Sequence, residues 1–123
     1  MEDRSEELLL EWKNRLGLQD WRILLCPKCS EDEMSIEDAA GATSWQETNK
    51  TARIEILDPA DYGERVEPMD WEQVLVHELL HLKLCLLSDN GNDLMDRIVH
   101  ILIDDLARAF VDAKRSWEKE CTK

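Results

Sequence analysis

The chain reads as an α+β fold, a helix followed by a small sheet and then two further helices. Apolar residues recur at three- and four-residue spacing near both ends and through Val74 to Leu87. Ala52, Ile54 and Ile56 alternate with Arg53 and Glu55, the two-residue period of a strand. Turn-rich stretches, "DPADYGERVEP" and "SDNGND", separate these patterns. At 123 residues the chain suits one domain spanning positions 1–123, with room for one core but hardly a second.

Taken in order, Ser5 is placed to cap a helix from about Glu6 to Leu16. Leu8, Leu9, Trp12 and Leu16 share one stripe of it, and Gly17 supplies a left-handed stop. "WRILLC", Trp21 to Cys26, predicts a buried strand. "CSEDEMSIEDAAGA" is polar and acidic, as a surface loop is. "TSWQETNKTARIEI" predicts two strands around Thr48, Asn49 and Lys50, in a small, mostly antiparallel sheet with one solvated face. After the loop "DPADYGERVEP", a helix runs from Asp70 or Trp71 to Leu87 and is broken by "SDNGND". The last helix extends from Asp93 to Lys119, with Ile98, Leu102, Leu106 and Phe110 at helical spacing.

A formal net charge of -13 argues against a nucleic-acid partner, because a phosphate backbone is gripped by clustered Lys and Arg. "RAFVDAKRSWEKECTK" is mildly basic, but Asp112, Glu118 and Glu120 interrupt it and make it a solvated helical face. The start, "MEDRSEELLLEWKNRLG", is acidic and amphipathic, unlike a secretory signal, and no apolar run reaches membrane-spanning length. The expected compartment is the cytoplasm. Cys26, Cys29, Cys85 and Cys121 are accordingly read as thiols or metal ligands. Cys26-Pro27-Lys28-Cys29 has metal-ligand spacing, yet no second C-x-x-C accompanies it, so a pair of reduced thiols at a strand end is expected. The five tryptophans read as core and rim packing, with Trp45 the one placed for peptide contact.

"VLVHELLHLKLCLL", Val74 to Leu87, sets two histidines and a glutamate in an apolar run. Burying such groups costs a few kcal/mol unless each finds a partner, and a metal ion would compensate all three. His77-Glu78-Leu79-Leu80-His81 fits H-E-x-x-H. Residues four apart share a helix face, so the imidazoles can take two corners of a zinc tetrahedron. Glu78 is rotated to one side, where its carboxylate can accept a proton from water held by the metal. The plain alternative is a pair of core histidines. A third ligand is needed, and the remaining histidine, His100, follows His81 by nineteen residues with a chain reversal between them. Its own plain alternative is a surface or helix-packing histidine.

These residues resemble the gluzincin branch of zinc metallopeptidases, in which H-E-x-x-H is followed on a second helix by E-x-x-x-D. This chain has His100-Ile101-Leu102-Ile103-Asp104 in that slot. The resemblance implies that His100 replaces the glutamate ligand and that Asp104 accepts a hydrogen bond from a ligand imidazole, most naturally His77. Over most of the chain, "LGLQDWRI", "TARIEI", "EQVLVHELLHLKL" and "LARAF" together resemble the small HExxH proteins of phages and prophages, akin to minimal gluzincins and SprT-like domains. That implies a compact zincin-like domain in a host cytoplasm. The metzincin extension H-x-x-G-x-x-H and the zinc endoribonuclease pattern are both absent.

The expected activity is hydrolysis of a peptide or protein substrate, with Zn2+ held by His77, His81 and His100 and Glu78 as general base. Tyr62 and Arg97 are candidates for stabilising the oxyanion, and "TARIEI" or "TSWQE" for pairing an extended substrate. The alternatives are a zinc-binding assembly module without hydrolysis and a helical-core protein without metal. A general base has no use in a purely structural site, which favours the first reading.

Overall fold

The computed structural model describes residues 4–35, 39–63, 68–85 and 93–121. The first apolar stripe closes helix α1 over Ser5–Leu16, burying Leu9 and Trp12. Gly17 ends it in the left-handed region, φ 71°, and donates its N–H to the Lys13 carbonyl. The start differs from expectation: Arg4 occupies the cap position without a side-chain bond, and Ser5 lies buried in the first turn.

Three strands follow, β1 (Arg22–Cys29), β2 (Gly41–Gln46) and β3 (Thr51–Leu57), in the order β1-β3-β2. β2 and β3 form an antiparallel hairpin with Gln46 opposite Thr51, closed by Lys50 at φ 52°. β1 pairs parallel to β3, so the sheet is mixed rather than mostly antiparallel. The chain leaves β1 at the end where β2 begins, and β3, returning between them, must run in the direction of β1. Within the expected loop, Glu31–Glu33 forms a single 3-10 turn.

Ile54 and Ile56 are fully buried on β3 and Arg53 is exposed, as the alternation requires. Glu55 breaks the expectation of a solvated face, being only 4% exposed. Its carboxylate accepts from the Ser35 hydroxyl at 2.6 Å and the Ser35 N–H at 3.2 Å, and from Arg53 Nε at 3.3 Å. The segment before β2 thus covers part of that face and supplies the donors a buried carboxylate needs.

Asp58 caps a short helix α2 (Pro59–Tyr62) by accepting from Ala60 N–H at 3.0 Å, with Pro59 pre-set for the first turn. Helix α3 spans Trp71–Lys83, capped by Asp70, which accepts from Gln73 N–H at 3.2 Å. It stops short of the expected end, with Leu84 as its last half-helical residue. Leu86, Leu87 and most of "SDNGND" lie outside the described residues. Helix α4 spans Asp93–Cys121 and packs along α3. Its core face is not the expected one. Val99, Ile103, Ala107 and Val111 are buried, whereas Ile98, Leu102 and Phe110 are 43%, 48% and 37% exposed and Leu106 is partly buried. α4 carries two adjacent apolar stripes, and contact with α3 selects the one displaced by a residue.

An ionic knot ties α1, α3 and α4 together. Lys114, 5% exposed, reaches Glu11 at 3.1 Å and Glu72 at 2.5 Å, and Trp12 Nε1 donates to Glu72 at 2.7 Å. Arg115 grips Asp70 through two bonds of 2.6 and 2.9 Å, the fork geometry of guanidinium on carboxylate. Among the described residues, no helix is long and apolar enough to cross a membrane.

Candidate metal centre

α3 buries Leu75, Val76, Leu79, Leu80 and Leu82 in the common core. That packing leaves the face carrying His77 and His81 turned toward α4, with the two rings 5.1 Å apart, as residues one turn apart stand. Glu78 projects between α3 and the sheet's edge and is 5% exposed. One ligand atom from each of His77, Glu78 and His81 lies within 4.8 Å of the other two. His77 Nε2 is 3.9 Å from Glu78 Oε2.

α4 supplies two more groups. Asp104 Oδ1 lies 2.7 Å from His77 Nδ1. With that nitrogen donating to the carboxylate, the Nε2 lone pair faces the cluster. The ring of His100 stands edge-on to His81 with centroids 4.9 Å apart, although His100 is exposed and outside the set lying mutually within 4.8 Å. Its Nδ1 is 2.9 Å from the Asp96 carbonyl oxygen one turn earlier, a contact that assigns the proton to Nδ1 and leaves Nε2 as acceptor. The structure therefore brings His77, Glu78 and His81 together, joins Asp104 to His77, and sets His100 beside His81.

No family model, curated protein or solved structure matches this chain.

β2 contributes residues that the sequence did not single out. Strand alternation turns Gly41 and Thr43 toward α3. Thr43 Oγ1 donates to Glu78 Oε1 at 2.5 Å. A Cβ on Gly41 would stand 2.8 Å from Glu78 Oε2 and 2.9 Å from Val74 Cγ1, so a side chain here would displace the carboxylate or the helix. The signal was present only in part: alternation aligns Gly41, Thr43 and Trp45, but not the element they face.

Burial pushes the Glu78 carboxyl above the usual carboxylate range, opposed by the Thr43 hydroxyl and by the nearby imidazoles of His77 and His100. Burial also pushes His81 down to about 4, with His77 and His100 adding to the effect. His81 is thus neutral at pH 7, the form in which imidazole binds a metal. A buried carboxylate beside two imidazoles is a donor set that suits a divalent cation, zinc among others.

The cluster opens into a cleft of about 600 Å³ whose walls include Tyr62, Val74, Asp104 and Arg108. Tyr62 stands at this cleft; Arg97 is exposed and does not line it. Trp45 is half-buried against the core.

Proposed function

We propose that this chain is a zinc-dependent metallopeptidase with a zincin-like arrangement of sheet, motif helix and ligand-bearing helix. The observation that carries the reading is the placement of Glu78, a buried carboxylate held by Thr43 next to the His77 and His81 rings. A pair of core histidines leaves that carboxylate without a purpose that offsets its burial. A catalytic site needs it there.

His77 and His81 would hold the ion through nitrogen, and His100 would complete the set from α4 with its free Nε2. A bound zinc supplies Lewis acidity and lowers the pKa of the water it holds. Glu78 Oε2, on the oxygen not occupied by Thr43, accepts the proton from the attacking water and returns it to the leaving amine. Thr43 keeps that oxygen aimed by occupying the other. Asp104 fixes the tautomer and ring orientation of His77. β2, at the open edge of the sheet beside the cleft, offers main-chain groups on which an extended peptide would align. Tyr62, on the cleft wall, would be the candidate to meet the substrate carbonyl. The proposed setting is the cytoplasm.

The deciding experiment is elemental mass spectrometry on the purified chain beside a His77→Ala/His81→Ala variant, followed by a peptide-library digest with Glu78→Ala as control. One zinc per chain, lost in the double variant, with cleavage abolished by Glu78→Ala, is the expected result. Zinc without cleavage would turn the reading to a zinc-binding module. Absence of metal after zinc is supplied would end it.

A further inference from the structure

β1 ends in Cys26-Pro27-Lys28-Cys29, near the first residue of α3. The structure joins Cys26 and Cys29 as a disulfide, where reduced thiols were expected, with Cα atoms 5.9 Å apart. The β1–β3 register slips between these two residues, and the resulting bulge brings both side chains to one side. Cys26 is half-exposed and Cys29 is 1% exposed, anchored by the Asp58 N–H on its carbonyl at 2.7 Å.

We propose that Cys26 and Cys29 form a reversible thiol–disulfide exchange site whose state is transmitted to the start of the motif helix. Three observations support it, and none depends on reading His77, Glu78 and His81 as a metal site.

The bridge spans a sequence separation of three, so it restrains little of the unfolded chain. The apolar core of sheet and helices holds the fold without it. A bridge that contributes little to folding and keeps one accessible sulfur has the properties of labile rather than structural disulfides. C-x-x-C geometry also favours the thiolate form, and the exposed Lys28 between the cysteines adds positive charge in an otherwise acidic chain.

The loop is also wired to α3. Trp71, the first residue of that helix, donates its indole N–H to the Pro27 carbonyl at 2.8 Å. Pro27 lies between the cysteines, so opening the bridge frees the peptide on which Trp71 is moored. Pro27, Lys28 and Trp71 share one surface hollow with Arg4 and Pro59, so the peptide between the cysteines and the start of α3 lie against the same solvent-filled space.

In the exchange, the thiolate of a small-molecule thiol attacks Cys26 Sγ; the bond to Cys29 breaks, and Cys29 departs as thiolate and takes up a proton. A second thiol attacks the external sulfur of the mixed disulfide and releases Cys26. The net change is one protein disulfide and two small thiols to one protein dithiol and one small disulfide.

The test equilibrates the full chain with dithiothreitol at increasing concentration under native conditions, traps thiols by alkylation, and reads Cys26 and Cys29 by peptide mass spectrometry. Alkylation of both should rise from about one tenth to about nine tenths at low-millimolar thiol and fall again with oxidised glutathione, while thermal stability changes little. Tryptophan emission should shift across the same range, and Trp71→Phe should abolish the shift. Cys26→Ser should fold normally and leave Cys29 without a bridge. Full alkylation after oxidation, a bridge that opens only on unfolding, or thiols protected by zinc and released by a chelator would each overturn the exchange site. Reversible opening with an unchanged Trp71 signal would overturn the link to α3.

Discussion

Asp104 holds His77 from the neighbouring helix, its Oδ1 2.7 Å from the imidazole Nδ1. That contact selects the tautomer in which Nε2 faces the cluster, and it ties the approach of α3 and α4 to the orientation of one putting-forward group, the His77 ring. Removing it frees the ring without removing a donor atom. Asp104→Ala should therefore retain the fold and weaken the proposed zinc binding about 10- to 100-fold, the usual effect of losing such a carboxylate partner. Competition with a chromogenic chelator measures this. An unchanged affinity would show that His77 needs no orienting group.

Gly41→Ala tests the contact between β2 and the motif helix. The added methyl meets Glu78 Oε2 and Val74 Cγ1 inside ordinary contact distance, and the carboxylate is pinned by Thr43. A loss of about 1–3 kcal/mol is expected, as for overpacking elsewhere, read as a lower urea midpoint with unchanged slope. A neutral result would mean that Glu78 moves aside at no cost.

The face that α4 presents can be tested by two neighbouring truncations. Ile103→Ala empties a fully buried position and should cost about 2–5 kcal/mol. Leu102→Ala changes a residue that is 48% exposed and should cost less than about 1 kcal/mol. Chemical denaturation of both settles the register, and the reverse order would restore the stripe that periodicity suggested.

The knot around Lys114 sets a pH dependence. Arg115 holds the Asp70 carboxyl below its usual range. Burial alone would raise Glu72, but the Lys114 ammonium and the Trp12 N–H outweigh it and hold Glu72 low as well. Both carboxyls bind protons more weakly folded than unfolded, so their contribution is present above the unfolded value of about 4 and is lost as pH falls below it. Lys114 is raised by Glu72 and Glu11 against the opposing effect of burial, so its contribution is complete at neutral pH and lost only on the far alkaline side. The knot's own share of the melting temperature should hold steady near neutrality and be lost below about pH 4, read as a gap between the chain and Lys114→Ala that shrinks on acidification. Lys114→Ala, which leaves Glu72 to Trp12 and Arg115 but removes the cation it shares with Glu11, should cost about 1–3 kcal/mol at pH 7.

Glu78 has the opposite sign. Its carboxyl is raised by burial, so in metal-free protein it contributes stability below its unfolded value of about 4 and subtracts from it as pH rises through the folded value. Glu78→Gln should accordingly stabilise the metal-free chain at pH 7 while Thr43 retains an amide oxygen to bond. A thermal melt in the presence of chelator checks this, and a destabilised variant would indicate that the ionised carboxylate is already compensated by its neighbours.

Much of this architecture was legible because it is local. The four-residue spacing of His77 and His81 puts them on one face of any helix, and Gly17 and Asp70 punctuate helices through bonds to their own turns. The hairpin of β2 and β3 follows from two alternating segments around one turn. The parallel partner of β3 was not legible, since nothing in "WRILLC" records which strand lies beside it. Likewise "IVHILIDDLARAFV" is apolar on two adjacent stripes, and periodicity has no means of choosing between them. Glu55 reads as a solvent-facing residue until Ser35, distant in sequence, is brought over it.

By itself, then, the sequence determined the three long helices, the hairpin and the pairing of His77 with His81, all set by spacing along a single element and by backbone geometry that needs no partner; the short helix α2 fell in an expected loop. Tertiary structure alone decided that Thr43 and Gly41 would meet Glu78, that Asp104 would reach His77, and that Trp71 would moor on the loop between Cys26 and Cys29. Those contacts join different elements, and their distances depend on how apolar faces pack against one another, a property of the whole core that no single segment encodes.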